Sequence, residues 1–121
     1  MASADTSTLG VSILIPAFNE EGAIGETVKK ISEQRRFFRE LEIVVINDGS
    51  DDRTGEIARG LGITLLEHEA NRGYGAALKT GLQRAKHDIV MIADADGTYP
   101  LEDIPKLAAD QGGEGADPGG D

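Results

Sequence analysis

No cysteine occurs among the 121 residues, which excludes a disulfide framework and a thiolate metal site and leaves no sign of an oxidising compartment. Basic residues are few, 12 against 22 acidic ones, for a formal charge of −10. No local stripe of Lys and Arg offsets that charge, so no nucleic-acid partner is expected. No apolar run approaches membrane-spanning length, and Met1–Gly10 lacks both the basic start and the apolar stretch of a signal peptide. The expectation is a soluble, cytoplasmic chain. Hydrophobic residues make up only 39%, whereas glycine is plentiful at 16, so part of the chain adds nothing to a core.

What is present is an alternation of apolar strands with amphipathic helices. VSILIP (11–16) and LEIVVIN (41–47) are short, β-branched runs that suit buried strands, with Ile63–Leu66 and Asp88–Ala93 as a third and fourth. Between them, Ile24, Val28 and Ile31 recur at helical spacing over Glu20–Arg36, with Asn19 placed to cap the start. A short helix with Ile57, Ala58 and Leu61 on its apolar side follows Ser50, Asp51 and Asp52. A third, beginning near Tyr74, carries Leu78, Leu82 and Ala85. This pattern predicts an α/β fold, a parallel sheet with helices on both faces joined by right-handed crossovers. One more helix over Pro100–Ala109 is weakened by Pro105. QGGEGADPGGD (111–121) has almost nothing to bury. The expected organisation is a flexible 1–8, an ordered body 9–109 and a disordered Gly/Asp-rich tail 110–121.

In an open parallel sheet, ligands bind beyond the carboxyl ends of the strands. The residues there are polar: Pro16-Ala17-Phe18-Asn19-Glu20 after the first strand, Asn47-Asp48-Gly49-Ser50-Asp51-Asp52 after the second, and Asp94-Ala95-Asp96-Gly97-Thr98 after the fourth. Each loop alone reads as ordinary turn and cap chemistry. Taken together, they bring three sets of carboxylates to one rim, which repel unless a cation or ligand hydroxyls meet them. Asp94 and Asp96, at i and i+2, can hold Mg²⁺ or Mn²⁺ directly and through water, with substrate phosphates completing the shell. Receiver-type phosphorylation domains also gather aspartates at strand ends, so a bare DxD leaves that alternative open.

Asn71-Arg72-Gly73-Tyr74-Gly75 leads into the third helix, where free N–H groups could meet an anion. It matches neither GxxxxGK[ST] nor GxGxxG, so no dinucleotide is assigned. Tyr74 and Tyr99 could stack on a base or sugar, or simply pack. His68 and His87 lack metal-ligand spacing and are assigned only surface polarity, as are Lys79 and Arg84.

Four segments, VSILIPAFNEEGAI, EIVVINDGSDDRT, NRGYGAALKTGL and DIVMIADADGTYPLEDIPKL, together resemble the family 2 glycosyltransferases of GT-A fold, especially the dolichol- or polyprenyl-phosphate mannosyltransferase branch. The resemblance implies that Pro16, Phe18, Glu20, Ile46 and Asp48 hold the nucleoside of a GDP- or UDP-sugar, with Asp48 as the base-recognising carboxylate. It implies that Asp94 and Ala95 contact the nucleotide-sugar and that Asp96, with Asp94, carries the divalent metal at the catalytic centre. The implied reaction passes sugar from that donor to a lipid phosphate, with peripheral attachment at the cytoplasmic membrane face. In relatives the chain continues past the DxD region into the acceptor site, any catalytic base and a later arginine, where this sequence has QGGEGADPGGD. The expectation is therefore the N-terminal, nucleotide-binding half of such an enzyme, truncated after DxD. The rivals are a fragment that binds nucleotide without catalysing, and a receiver-like domain phosphorylated at Asp48.

Overall fold

The computed structural model describes residues 6–97. Four strands, β1 (Gly10–Ala17), β2 (Glu40–Asp48), β3 (Thr64–His68) and β4 (Ile89–Ile92), form one sheet in the order β3-β2-β1-β4, every pair parallel. The expected strands are all found, each with slightly different ends. Their β-branched and leucine side chains suit a sheet buried on both faces. The chain runs outward from β1 through β2 to β3, then returns to lay β4 on the other side of β1, so the direction of winding reverses between β1 and β4. In open α/β sheets a crevice forms at such a reversal.

Alternation along the strands supplies two cores. Val11, Ile13 and Ile15 of β1, with Ile43 and Val45 of β2, face α1 (Ile24–Ser32) and α2 (Thr54–Arg59), burying Ile24, Val28, Ile31 and Ala58. Leu14, Val44 and Ile46 face the other way, toward α3 (Tyr74–Arg84) and its Ala77. Helices thus cover both faces, as the sequence pattern predicts.

Three local expectations are corrected. The helix expected over Glu20–Arg36 is only Ile24–Ser32, followed by a 3₁₀ turn at Arg35–Phe37; Ser32 turns its hydroxyl back onto the Val28 carbonyl at 2.8 Å in the closing turn. Asn19 does not cap it: the N-cap is Ala23, and Asn19 sits in the left-handed region at φ 55. On α3, Leu82 is exposed, and the helix rests on the sheet through Ala77, Gly81 and Ala85. A Cβ on Gly81 would lie 2.8 Å from Ile46 Cδ1 and 3.2 Å from the Leu14 methyls, so a larger residue there would make those side chains shift. The helix expected over Pro100–Ala109 and the tail from residue 110 lie outside the described residues.

Candidate functional site

At the carboxyl ends of β1, β2 and β4, a cleft of about 410 Å³ is lined by Pro16, Phe18 and Glu20 on one wall, Asp94, Ala95 and Asp96 on a second, and Asp48, Asn71, Gly73 and Tyr74 on a third. It lies where the strand order reverses, the position expected of a ligand site. Seven of the eight sequence-predicted site residues are brought together here. The exception is Ile46, whose side chain is wholly buried beneath α3 beside Leu14, Val44 and Ala77. It supports the cleft floor from the core and does not line the cleft, because its strand position points it to the α3 face.

Hydrogen bonds between loops join the first wall to the segment after β2. The Asn19 N–H donates to Ser50 Oγ at 2.9 Å, and the Asp51 N–H donates to Asn19 Oδ1 at 2.8 Å. The Glu20 N–H donates to Thr54 Oγ1 at 2.8 Å, while Arg53 N–H donates to Glu21 Oε1 at 3.0 Å. The left-handed Asn19 is what makes these reciprocal bonds possible, since it turns both its N–H and its side chain toward the second loop.

The second wall is pinned to α1. Thr27 donates its hydroxyl to the Ala95 carbonyl at 2.9 Å in a buried contact, and Gly97 closes the turn by donating to the Asp94 carbonyl at 3.0 Å with φ 74. Ala95 is buried, whereas Asp96 faces solvent.

The expected convergence of acidic loops is present. Burial raises the Glu20 carboxyl above its ordinary value, and the charges of Asp96, Asp52 and Asp94 push it the same way. Among the described residues, no group of three or more His, Asp or Glu could hold a metal through protein ligands alone. Two carboxylates with further oxygens from phosphate and water is a donor set that suits Mg²⁺ or Mn²⁺. Asp94 and Asp96, with the negative field at Glu20 beside them, fit such a cation.

The third wall departs from expectation. The loop before α3 does meet an anion with its N–H groups, but that anion is Asp48: Arg72 N–H donates to Oδ1 and Gly73 N–H to Oδ2, both at 2.9 Å. Asn71 Nδ2 donates to Oδ2 at 3.1 Å, and His68 Nδ1 lies 2.7 Å from Oδ1. His68 is therefore not a surface residue. Its side chain and that of Asp48 are each only 6% exposed, and Nε2 lies 2.8 Å from Thr80 Oγ1 on α3. Burial works to raise the Asp48 carboxyl, but hydrogen bonds from His68, Arg72 and Gly73 outweigh it and hold the group below its usual value. The missed signal was register: β3 extends to His68, and the ladder places His68 opposite Asp48.

Fold and cleft together define a glycosyltransferase domain of the GT-A class. The chain belongs to glycosyl transferase family 2, whose model matches residues 12–117, a span that runs into the segment expected as a tail. It is 39% identical over 111 residues to undecaprenyl-phosphate 4-deoxy-4-formamido-L-arabinose transferase of Edwardsiella ictaluri, covering 84% of this chain and 34% of that protein. It is 38% identical over 100 residues to dolichyl-phosphate hexose transferase of Haloferax volcanii, covering 80% and 41%. Among solved structures, the mannosyltransferase PcManGT of Pyrobaculum calidifontis, in complex with GDP-Man and Mn²⁺, superposes with a TM-score of 0.74 at 35% identity, covering 89% of this chain and 33% of that one. The chain thus spans about a third to two fifths of the length of these relatives. No helix among the described residues is long and apolar enough to cross a membrane.

Proposed function

We propose that this chain is the donor-binding part of a metal-assisted glycosyltransferase that takes sugar from a GDP- or UDP-sugar and passes it to a polyprenyl or dolichyl phosphate, acting peripherally at a membrane face. The observation that carries this reading is the cleft at the strand reversal, where Asp94 and Asp96 face Phe18 and Glu20 across about 410 Å³. Phe18 and Tyr74 are among the few large apolar side chains left in solvent, 42% and 58% exposed, and both line the cleft. They offer planar surface for a nucleoside. Asp94 and Asp96 would hold the divalent cation, which supplies charge neutralisation to the departing nucleoside diphosphate.

Asp94 and Asp96 would orient the diphosphate through that cation, and the bond from Thr27 to the Ala95 carbonyl holds the loop that carries them. A lipid phosphate is already an anionic nucleophile, so the donor half needs no strong general base. The named relatives above, transferases of undecaprenyl and dolichyl phosphate, support the acceptor class. The Mn²⁺ and GDP-Man of the solved mannosyltransferase support the donor and cation.

Calorimetric titration with GDP, UDP and their hexose conjugates, each with Mn²⁺, Mg²⁺ or chelator, tests the proposal. Metal-dependent binding of one nucleotide is the expected result and identifies the base. A folded chain that binds none would overturn it. Binding without transfer to a polyprenyl phosphate assigns the chain donor binding alone.

A further inference from the structure

Three consecutive backbone N–H groups of the first cleft wall end on side chains of one segment, Ser50 to Thr54. Asn19 N–H donates to Ser50 Oγ at 2.9 Å, Glu20 N–H to Thr54 Oγ1 at 2.8 Å and Glu21 N–H to Asp52 Oδ2 at 3.2 Å. Thr54, the first residue of α2, is wholly buried. Its hydroxyl accepts from Glu20 and passes its own single proton to Asp52 Oδ1, which also accepts the Thr54 N–H at 2.9 Å. One carboxylate therefore holds Glu21 directly and Glu20 through Thr54. Burial works to raise the Asp52 carboxyl, but bonds from Thr54 and from the Glu21 backbone outweigh it and hold the group below its usual value. Neither Asp52 nor Thr54 lines the cleft itself.

We infer that Asp52 and Thr54 are positioning residues of the donor cleft: the relay from Glu20 N–H through the Thr54 hydroxyl to Asp52 fixes the backbone from which Phe18 and Glu20 project into it. This rests on the cleft being the nucleotide site. By charge alone, a carboxylate beside this wall repels a nucleoside diphosphate, so what Asp52 adds to binding it adds through geometry. The loop of Asp94 and Asp96 is held separately, by Thr27. Loss of the relay should therefore weaken nucleotide binding without touching the increment that a divalent cation brings.

The test uses the whole chain with three variants: Thr54→Val, which keeps the shape and removes the hydroxyl; Thr54→Ser, which restores it; and Asp52→Asn, which removes the charge and one acceptor. Amide hydrogen exchange at Glu20 is followed without ligand, with Arg72 on the third wall as reference, and affinities for GDP and UDP are measured with Mn²⁺ and with chelator. Thr54→Val is expected to speed exchange at Glu20 by about tenfold or more, with Arg72 unchanged, and to weaken nucleotide binding by one common factor of about tenfold in both conditions. Thr54→Ser should recover both. Asp52→Asn should also weaken binding, against the direction its lost charge predicts, and it decides the matter if Thr54→Val does not fold. Unaltered exchange at Glu20 in Thr54→Val overturns the relay, as does an Asp52→Asn variant that binds as tightly as the unaltered chain or more so. A Thr54→Ser variant that regains stability without regaining affinity overturns the positioning role. If the unaltered chain binds neither nucleotide, the donor reading fails, and exchange at Glu20 still decides whether the relay holds the wall.

Discussion

Thr27, in the first turn of α1, donates its hydroxyl to the carbonyl of Ala95, 68 positions later in the chain, at 2.9 Å. That one bond ties the loop carrying Asp94 and Asp96 to a helix on the far side of β1.

Removing it without changing shape is the first prediction. Thr27→Val leaves a buried carbonyl unsatisfied and should lower stability by about 1–3 kcal/mol. It should also weaken Mn²⁺-dependent nucleotide binding more than binding measured in chelator, because only the carboxylate loop is loosened. Paired calorimetric titrations check this; equal losses in the two conditions would count against the pinning role.

Asp96→Ala addresses the carboxylate itself. Asp96 is exposed, so the unfolding free energy should move by no more than about 0.5 kcal/mol. The increment in nucleoside diphosphate affinity that Mn²⁺ brings should vanish. Affinity that still rises with Mn²⁺ in this variant would remove Asp96 from the metal site.

Glu20 gives the cleft a pH signature. Its carboxyl is raised by burial and by Asp96, Asp52 and Asp94, so in the metal-free chain the folded state binds its proton more tightly than the unfolded state does. The stability this lends is fully present below the ordinary glutamate value of 4.5 and is lost as pH rises through the raised one. Glu20→Gln, which cannot ionise, should therefore match the unaltered chain at acid pH and exceed it in thermal midpoint at neutral pH. A difference that stays constant across that range would show that the clustered charges do not act on Glu20.

Two glycines should respond in opposite directions. At Gly49, φ is +71 and an added Cβ would fall 2.3 Å from the Ala70 carbonyl carbon and the Asn71 nitrogen. Gly49→Ala should cost more than about 2 kcal/mol and disturb the loop that Asp48 anchors. Gly75 lies in the first turn of α3, and a Cβ added there would meet nothing within 4 Å, so Gly75→Ala should stabilise by about 0.5–1 kcal/mol. Denaturant midpoints of the two variants decide both.

The architecture was readable because buried parallel strands are nearly continuous apolar runs: VSILIP and LEIVVIN can hardly be anything else. The cleft was readable because its residues follow those strands directly, and chain order alone puts Phe18, Asp48 and Asp96 at one edge. What escaped depended on pairing across elements. His68 looks isolated along the chain, and only the β2–β3 register sets it opposite Asp48. Ile46 precedes Asp48 by two positions yet belongs to the α3 face of the sheet. Asn19 fitted a helix cap by type, but its left-handed backbone turned it to Ser50 and Asp51 instead. Leu82 fitted the helical spacing, but α3 and its C-cap meet the apolar face of the sheet through the small Ala77, Gly81 and Ala85.

That nearness bears on how the domain can grip. Ala77, Gly81 and Ala85 leave α3 no slack above Leu14 and Ile46, so the wall bearing Tyr74 is a fixed anvil. The opposing jaw, with Phe18 and Asp96, is held by hydrogen bonds from loop to loop and from Thr27 of α1, which break and re-form more readily than a packed helix shifts. Closure around a ligand would then be one-sided, and microsecond-to-millisecond relaxation measurements should find exchange at Phe18–Glu21 and Asp94–Gly97 with Tyr74–Gly81 quiet.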